Sequence, residues 1–155
     1  MRIVPYTTRA KRVGETEGFD YFYIRHDQFQ RMIVRNELTD WDFTVGNYYG
    51  YGLELFDRAK EGANAVVPVV ARMALRLRAR LPNIYLLFLD APEEGRRVRV
   101  EARTPSDRER MLRDEHADEE REHSAMFDHV STLPSDFGAA AVAGLIERAM
   151  RSASG

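Results

Sequence analysis

The 155-residue sequence contains no cysteine. That excludes disulfides, thiolate zinc sites, iron–sulfur ligation and a thiol nucleophile. Lysine is scarce: of 23 basic residues only Lys11 and Lys60 are lysine. Chemistry that needs a lysine has two candidates, and both follow an alanine. Neither sign of charge dominates. The formal net charge is -2 with 31% charged residues. No broad basic field is available for nucleic acid or an anionic membrane. Long apolar runs are missing too. Those at 65–71 and 84–89 fall far short of the ~20 residues that cross a bilayer. The N-terminal MRIVPYTTRAKR has neither the apolar stretch nor the small-residue cleavage site of a secretory signal. The expectation is a cytoplasmic protein of one domain, 1–155, with no nucleic-acid or membrane partner.

What is present is enough apolar content, 44%, to build a core. Residues 1–8 and 19–24 read as strands. Asp27 reads as the N-cap of a helix over 28–35, with Phe29, Met32 and Ile33 on one face. Residues 41–45 read as a strand closed by a turn at Gly46-Asn47, and Trp41 reads as core. A helix over 53–61 places Leu53, Phe56 and Ala59 at helical spacing and stops at Gly62. The apolar runs 65–70 and 84–89 flank a basic amphipathic helix, 71–80. Strand, helix, strand with continuous apolar strands is the pattern of a parallel βαβ unit. Helices are expected over 91–98, 108–126 and 137–151, with a basic loop over 99–107 and a strand over 127–132. There are no repeats and no low-complexity linker.

The N-terminal third carries an ordered pattern: TTRAKRVGETEGFDY over 7–21, then Asp40-Trp41, then GNYYG over 46–50. This combination resembles guanylate kinase. The resemblance continues more loosely through Arg99, Arg103-Thr104 and Arg113, which match an arginine-rich lid. It implies an α/β fold: a P-loop-kinase-derived parallel sheet missing its first strand, with a mixed α/β nucleotide-binding subdomain over 9–52 and a lid-like segment over 99–113. It implies that Arg9, Arg12, Tyr21 and Tyr49 grip a 5′-phosphate. Guanidinium forks pair phosphate oxygens, and phenols add neutral donors. It also implies that Asp40 and Tyr51 sit at the base, and that Arg99, Arg103 and Arg113 contact phosphate as a lid.

The departures from the family pattern matter as much. The GxxxxGK[ST] loop that holds ATP phosphates does not occur in this sequence. The stretch 66–71, where the family has acidic residues, is apolar apart from a proline. Pro5 stands where the family has a serine, and Tyr51 where it has a small hydroxyl residue.

His116, Glu120 and His123, at i, i+4 and i+7, have spacing for a divalent metal. The surrounding charge favours a solvated helix face instead, so no metal or other cofactor is expected. No GxSxG nucleophile motif occurs. Three readings follow. The first is a non-kinase protein that binds a phosphorylated nucleoside-like small molecule, with chemistry on it that does not use ATP. The second is a phosphopeptide-binding module. The third is a kinase subunit that takes its P-loop from a partner chain. An incomplete sheet would be covered by strand closure, giving about four strands, or by a homodimer or partner chain.

Overall fold

Residues 38–52 alternate in side-chain character on either side of a tight turn, and they fold as a hairpin. Strand β3 (Leu38–Thr44) pairs antiparallel with β4 (Asn47–Gly52). Thr44 lies opposite Asn47. The turn residues are therefore Val45 and Gly46, one position earlier than the sequence suggested. Both have positive φ, 47° and 76°, as hairpin turns of the primed type require. Valine is an unusual occupant of that region, because its branched Cβ crowds the backbone.

The structure is a computed structural model that describes residues 3–62, 65–81, 83–95, 98, 101, 106–133 and 138–153. Two compact units divide the chain, 1–82 and 83–155.

In the first unit, β1 (Tyr6–Thr7) lies parallel to β2 (Phe22–Tyr23) and antiparallel to β4, giving the sheet order β2-β1-β4-β3. Directly paired residues share a face of the sheet. The register therefore sorts the side chains into two sets. Tyr6, Phe22, Trp41, Phe43, Tyr48 and Gly50 fall on one face, and Thr7, Tyr23, Asp40, Asp42, Tyr49 and Tyr51 on the other.

The aromatic face packs on helix α1 (His26–Val34). Phe29 is fully buried and stacks on Tyr48 at 5.0 Å. Phe43 and Trp41 meet the same ring edge-on at 4.8 and 5.7 Å. Trp41 is 38% exposed, so it rims this cluster rather than filling the core. Gly50 is required for the approach: a Cβ there would sit 2.9 Å from Phe29 Cζ and 3.0 Å from Trp41 Cβ. The N-cap of α1 is Arg25, not Asp27. The Arg25 N–H donates to the Gln28 side chain at 2.9 Å. Asp27 sits in the first turn, where its charge favours the helix N-terminus, and pairs with Arg25 and Arg31.

Helix α2 (Glu54–Lys60) starts after Leu53. Leu53 is half exposed, and Leu55 takes the buried place. The run 65–70 forms no named strand. Pro68 has no N–H to donate to a ladder. Its carbonyl instead accepts the Tyr51 hydroxyl at 2.7 Å. Helix α3 (Ala71–Arg78) buries Ala71, Met73, Ala74 and Leu77.

In the second unit, β5 (Leu87–Asp90) pairs parallel with β6 (His129–Thr132). A parallel pair does form, but between 87–90 and 129–132, not between 65–70 and 84–89. Among the described residues this sheet has two strands, not the four expected from closure. The charged segment forms α4 (Asp107–Glu122) and then a 3-10 turn (Ser124–Met126), two pieces where one helix was expected. Arg121 ends α4 and donates to Asp90 Oδ1 at 3.0 and 3.1 Å and to the Ala91 carbonyl at 3.0 Å. Helix α5 (Ala139–Ala153) follows. Among the described residues no helix is long and apolar enough to cross a membrane.

Candidate phosphate-binding site

The loop between β1 and β2 turns back on itself, and Glu15 becomes its organising residue. Its carboxylate takes Arg9 fork to fork, Nη2–Oε1 at 2.7 Å and Nη1–Oε2 at 3.1 Å. Oε2 also accepts the Arg12 backbone N–H and the Tyr23 hydroxyl, each at 2.7 Å. Burial works to raise the Glu15 carboxyl. Hydrogen bonds from Arg9, Arg12 and Tyr23, with the Arg9 charge, outweigh it and hold the group down at about 2. Glu15 is therefore a carboxylate at any physiological pH.

Arg9 is only 9% exposed. Nη1 also donates to the Ala10 carbonyl at 2.7 Å. The guanidinium carbon lies 5.3 Å from the centre of the Tyr21 ring and 5.8 Å from that of Tyr23, within cation–π range. Burial works against the Arg9 charge, but the hydrogen bonds and charge of Glu15 prevail and keep it firmly protonated. Glu15 uses the end of the fork. Among the described residues no acceptor takes the side edge, Nε–H with the second Nη2 hydrogen. That edge matches two phosphate oxygens.

Tyr49 reaches the same place from β4. Its ring meets Tyr21 edge-on at 6.1 Å, and Tyr21 meets Tyr23 at 5.8 Å. Burial, then neighbouring Tyr49, raises the Tyr21 phenol above its ordinary value. Burial, then its bond to Glu15, pushes Tyr23 up to about 12. Both phenols stay protonated and able to donate. The structure thus brings Arg9, Tyr21 and Tyr49 together, with partly buried Arg12 in the same loop.

The other expected residues lie elsewhere. Tyr51 is 2% exposed and its hydroxyl is used by Pro68. Asp40 is buried, and α3 covers it: Arg76 donates to both its oxygens at 3.0–3.2 Å. Arg113 lies on α4. Arg99 and Arg103 lie outside the described residues. The metal candidates do not assemble. His116 Nε2 is 3.7 Å from Glu120, while His123 Nδ1 lies 2.7 Å from the Glu119 carbonyl. Among the described residues no three such side chains converge on a metal position.

Glu15 and Tyr23 belong to the site and were not among the expected residues. Glu15 stood inside the matched motif, and Tyr23 follows Tyr21 at strand spacing, so both signals were in the sequence. Arg72 and Arg76 were also missed. They lie one helical turn apart on α3 and meet Asp40 and Asp42, which share a strand face.

The family model described as guanylate kinase matches residues 1–137. The chain is 32% identical over 126 residues to the guanylate kinase of Chlamydia pneumoniae, covering 80% of this chain and 62% of that protein. It is 37% identical over 87 residues to the guanylate kinase of Halalkalibacterium halodurans, covering 56% of this chain and 43% of that protein. The chain spans about half the length of the curated relatives it matches. The crystal structure of guanylate kinase from Anaplasma phagocytophilum superposes with a TM-score of 0.77 at 23% identity, over 98% of this chain and 74% of that one. That likeness is one of fold. The family match runs through residues 1–137, and it makes this chain a member of the guanylate kinase family.

Proposed function

We propose that these residues bind a phosphorylated nucleoside-like small molecule, a nucleoside monophosphate in chemical class, at a guanylate-kinase-type site. The observation that carries the reading is the Arg9–Glu15 fork. Glu15 fixes one edge of the guanidinium beside the Tyr21 and Tyr23 rings, and no acceptor among the described residues takes the other edge. Arg9 and Arg12 balance the phosphate charge, and the Tyr21 and Tyr49 hydroxyls donate to its remaining oxygens. Tyr23 and Glu15 position Arg9. The base lies toward Asp40 on the same sheet face.

The proposal includes that the 155 residues by themselves do not transfer phosphate from ATP. Their sequence holds no GxxxxGK[ST] to cradle its phosphates, and Lys11 and Lys60 both follow alanine. Residues 66–71 offer no carboxylate for a metal. Kinase activity would need those parts from outside these residues. Conversion of the ligand by other chemistry, or simple binding, needs none of them.

Calorimetry with GMP, ribose 5-phosphate and a phosphoserine peptide tests the reading, repeated with Arg9→Ala. Binding of the small phosphates that falls at least about tenfold in the variant supports it, since a charge-assisted bidentate pair is worth that much. Phosphate binding untouched by Arg9→Ala overturns the site. A peptide response without a small-phosphate response makes the chain an interaction module. ADP release from ATP and GMP by the isolated chain overturns the second part.

A further inference from the structure

An open hollow of about 400 Å³ lies between β3 and α3, lined by Asp40, Trp41, Asp42 and Arg76. It adjoins the phosphate cluster through the sheet. Asp42 is paired with Tyr49 and Asp40 with Tyr51, all on one face. A ligand held by its phosphate at Arg9 and Tyr49 would extend its other end along this face.

The polar groups of the hollow are already matched to one another. Asp40 is 8% exposed. Its Oδ1 accepts the Trp41 N–H at 2.8 Å and Arg76 Nε and Nη2 at 3.2 and 3.0 Å. Its Oδ2 accepts Arg76 Nε at 3.0 Å. Arg76 Nη2 also donates to the Trp41 carbonyl at 2.8 Å. Asp42 takes Arg72 at 3.0 Å and Arg76 more loosely at 3.4 Å. Two carboxylates face two guanidiniums, and the charges cancel.

A carboxylate accepts hydrogen bonds and donates none. Its two oxygens suit a partner with two adjacent N–H donors, such as the N1–H and amino edge of guanine. The Nε and Nη2 edge of Arg76 is also a pair of adjacent donors, and it already holds that position. A guanine ring would have to displace an arginine held by Asp40, Trp41 and Asp42. Adenine, with an acceptor at N1 beside its amino group, cannot offer that pair of donors in either case.

We infer that Arg76 is a specificity-determining residue that occupies the acceptor edge of Asp40, so that the hollow takes the organic end of a phosphorylated ligand without selecting guanine. This rests on the proposed phosphate-binding function. The base is then held by the shape of the hollow, and affinity comes from the phosphate end.

The test is calorimetry of the 155-residue chain with GMP, AMP and ribose 5-phosphate, for wild type, Arg76→Gln and the double variant Asp40→Asn/Arg76→Gln. The double variant removes both charges together, so no buried charge is left alone. Wild type is expected to bind GMP less than about fivefold tighter than AMP. Arg76→Gln is expected to raise the GMP preference about tenfold, the scale of one good bidentate contact, with ribose 5-phosphate unchanged. The double variant is expected to lose that gain. A wild-type guanine preference of about fivefold or more overturns the inference. So does an unchanged GMP-to-AMP ratio in a folded Arg76→Gln. If Arg76→Gln does not fold, the wild-type ratio alone decides by the same threshold. In these outcomes ribose 5-phosphate still binds, and the proposed function stands. If none of the three compounds binds wild type or variant, the proposed function fails and the inference falls with it.

Discussion

Glu15 and Arg9 meet fork to fork at 2.7 and 3.1 Å, and that pair holds the buried guanidinium in one place within the loop between β1 and β2. Without Glu15 the guanidinium would be one flexible cation among many. With it, one edge is fixed and the other has a defined direction.

The pair has a pH signature. The Glu15 carboxyl moves from an ordinary 4.5 to about 2 in the folded chain. The unfolded chain therefore binds more protons between those values, and stability rises with pH across them. Glu15 contributes fully above pH 4.5 and loses its contribution as pH falls toward 2. Because the pair is partly solvated, Glu15→Gln is expected to cost about 1–2 kcal/mol at neutral pH. Urea denaturation across pH should show this gap closing in acid. A gap that does not change with pH would rule out the ion pair as its source.

Tyr23 is the third support of that carboxylate. Tyr23→Phe removes a hydroxyl that donates to Glu15 at 2.7 Å and should cost about 1 kcal/mol. In an alkaline absorbance titration, the phenol that ionises near 12 should disappear. Phosphate affinity should fall less than in Arg9→Ala, because Tyr23 acts through Glu15.

The hairpin turn offers a gain of stability. Val45 holds φ 47° beside Gly46 at φ 76°. Asn-Gly is the preferred pair for such a turn, because asparagine tolerates this region. Val45→Asn is expected to stabilise the chain by about 0.5–1 kcal/mol. A higher urea midpoint with unchanged slope is the expected reading. A lower midpoint would mean that the valine side chain contributes packing that outweighs its backbone strain.

Much of the first unit was legible because its signals are local. The strand read over 41–45 overlaps β3, which starts three residues earlier at Leu38, and the glycine marks its turn to within one residue. Helical spacing marked Phe29, and the TTRAKRVGE run marked Arg9 and Arg12. The run 65–70 has the apolar content of a strand, but the missing N–H of Pro68 matters more to a ladder. Trp41 was assigned to the core on residue type alone, whereas strand parity puts it at the rim of the α1 cluster. The Arg76–Asp40 pair spans 36 residues. No local pattern gives such a pairing. Its trace in the sequence is charge matching between a helix repeating every four residues and a strand repeating every two.

Parity has one more consequence. Even-numbered Tyr48 faces helix α1, and odd-numbered Tyr49 faces Tyr21 on the other side of the sheet. Which tyrosine does which job is a matter of counting from the turn. Adding or deleting a single residue at Val45-Gly46 would exchange the inside and outside of β4 relative to β3. Which tyrosine stands beside Tyr21 is thus set by an integer, the two-residue length of a hairpin turn.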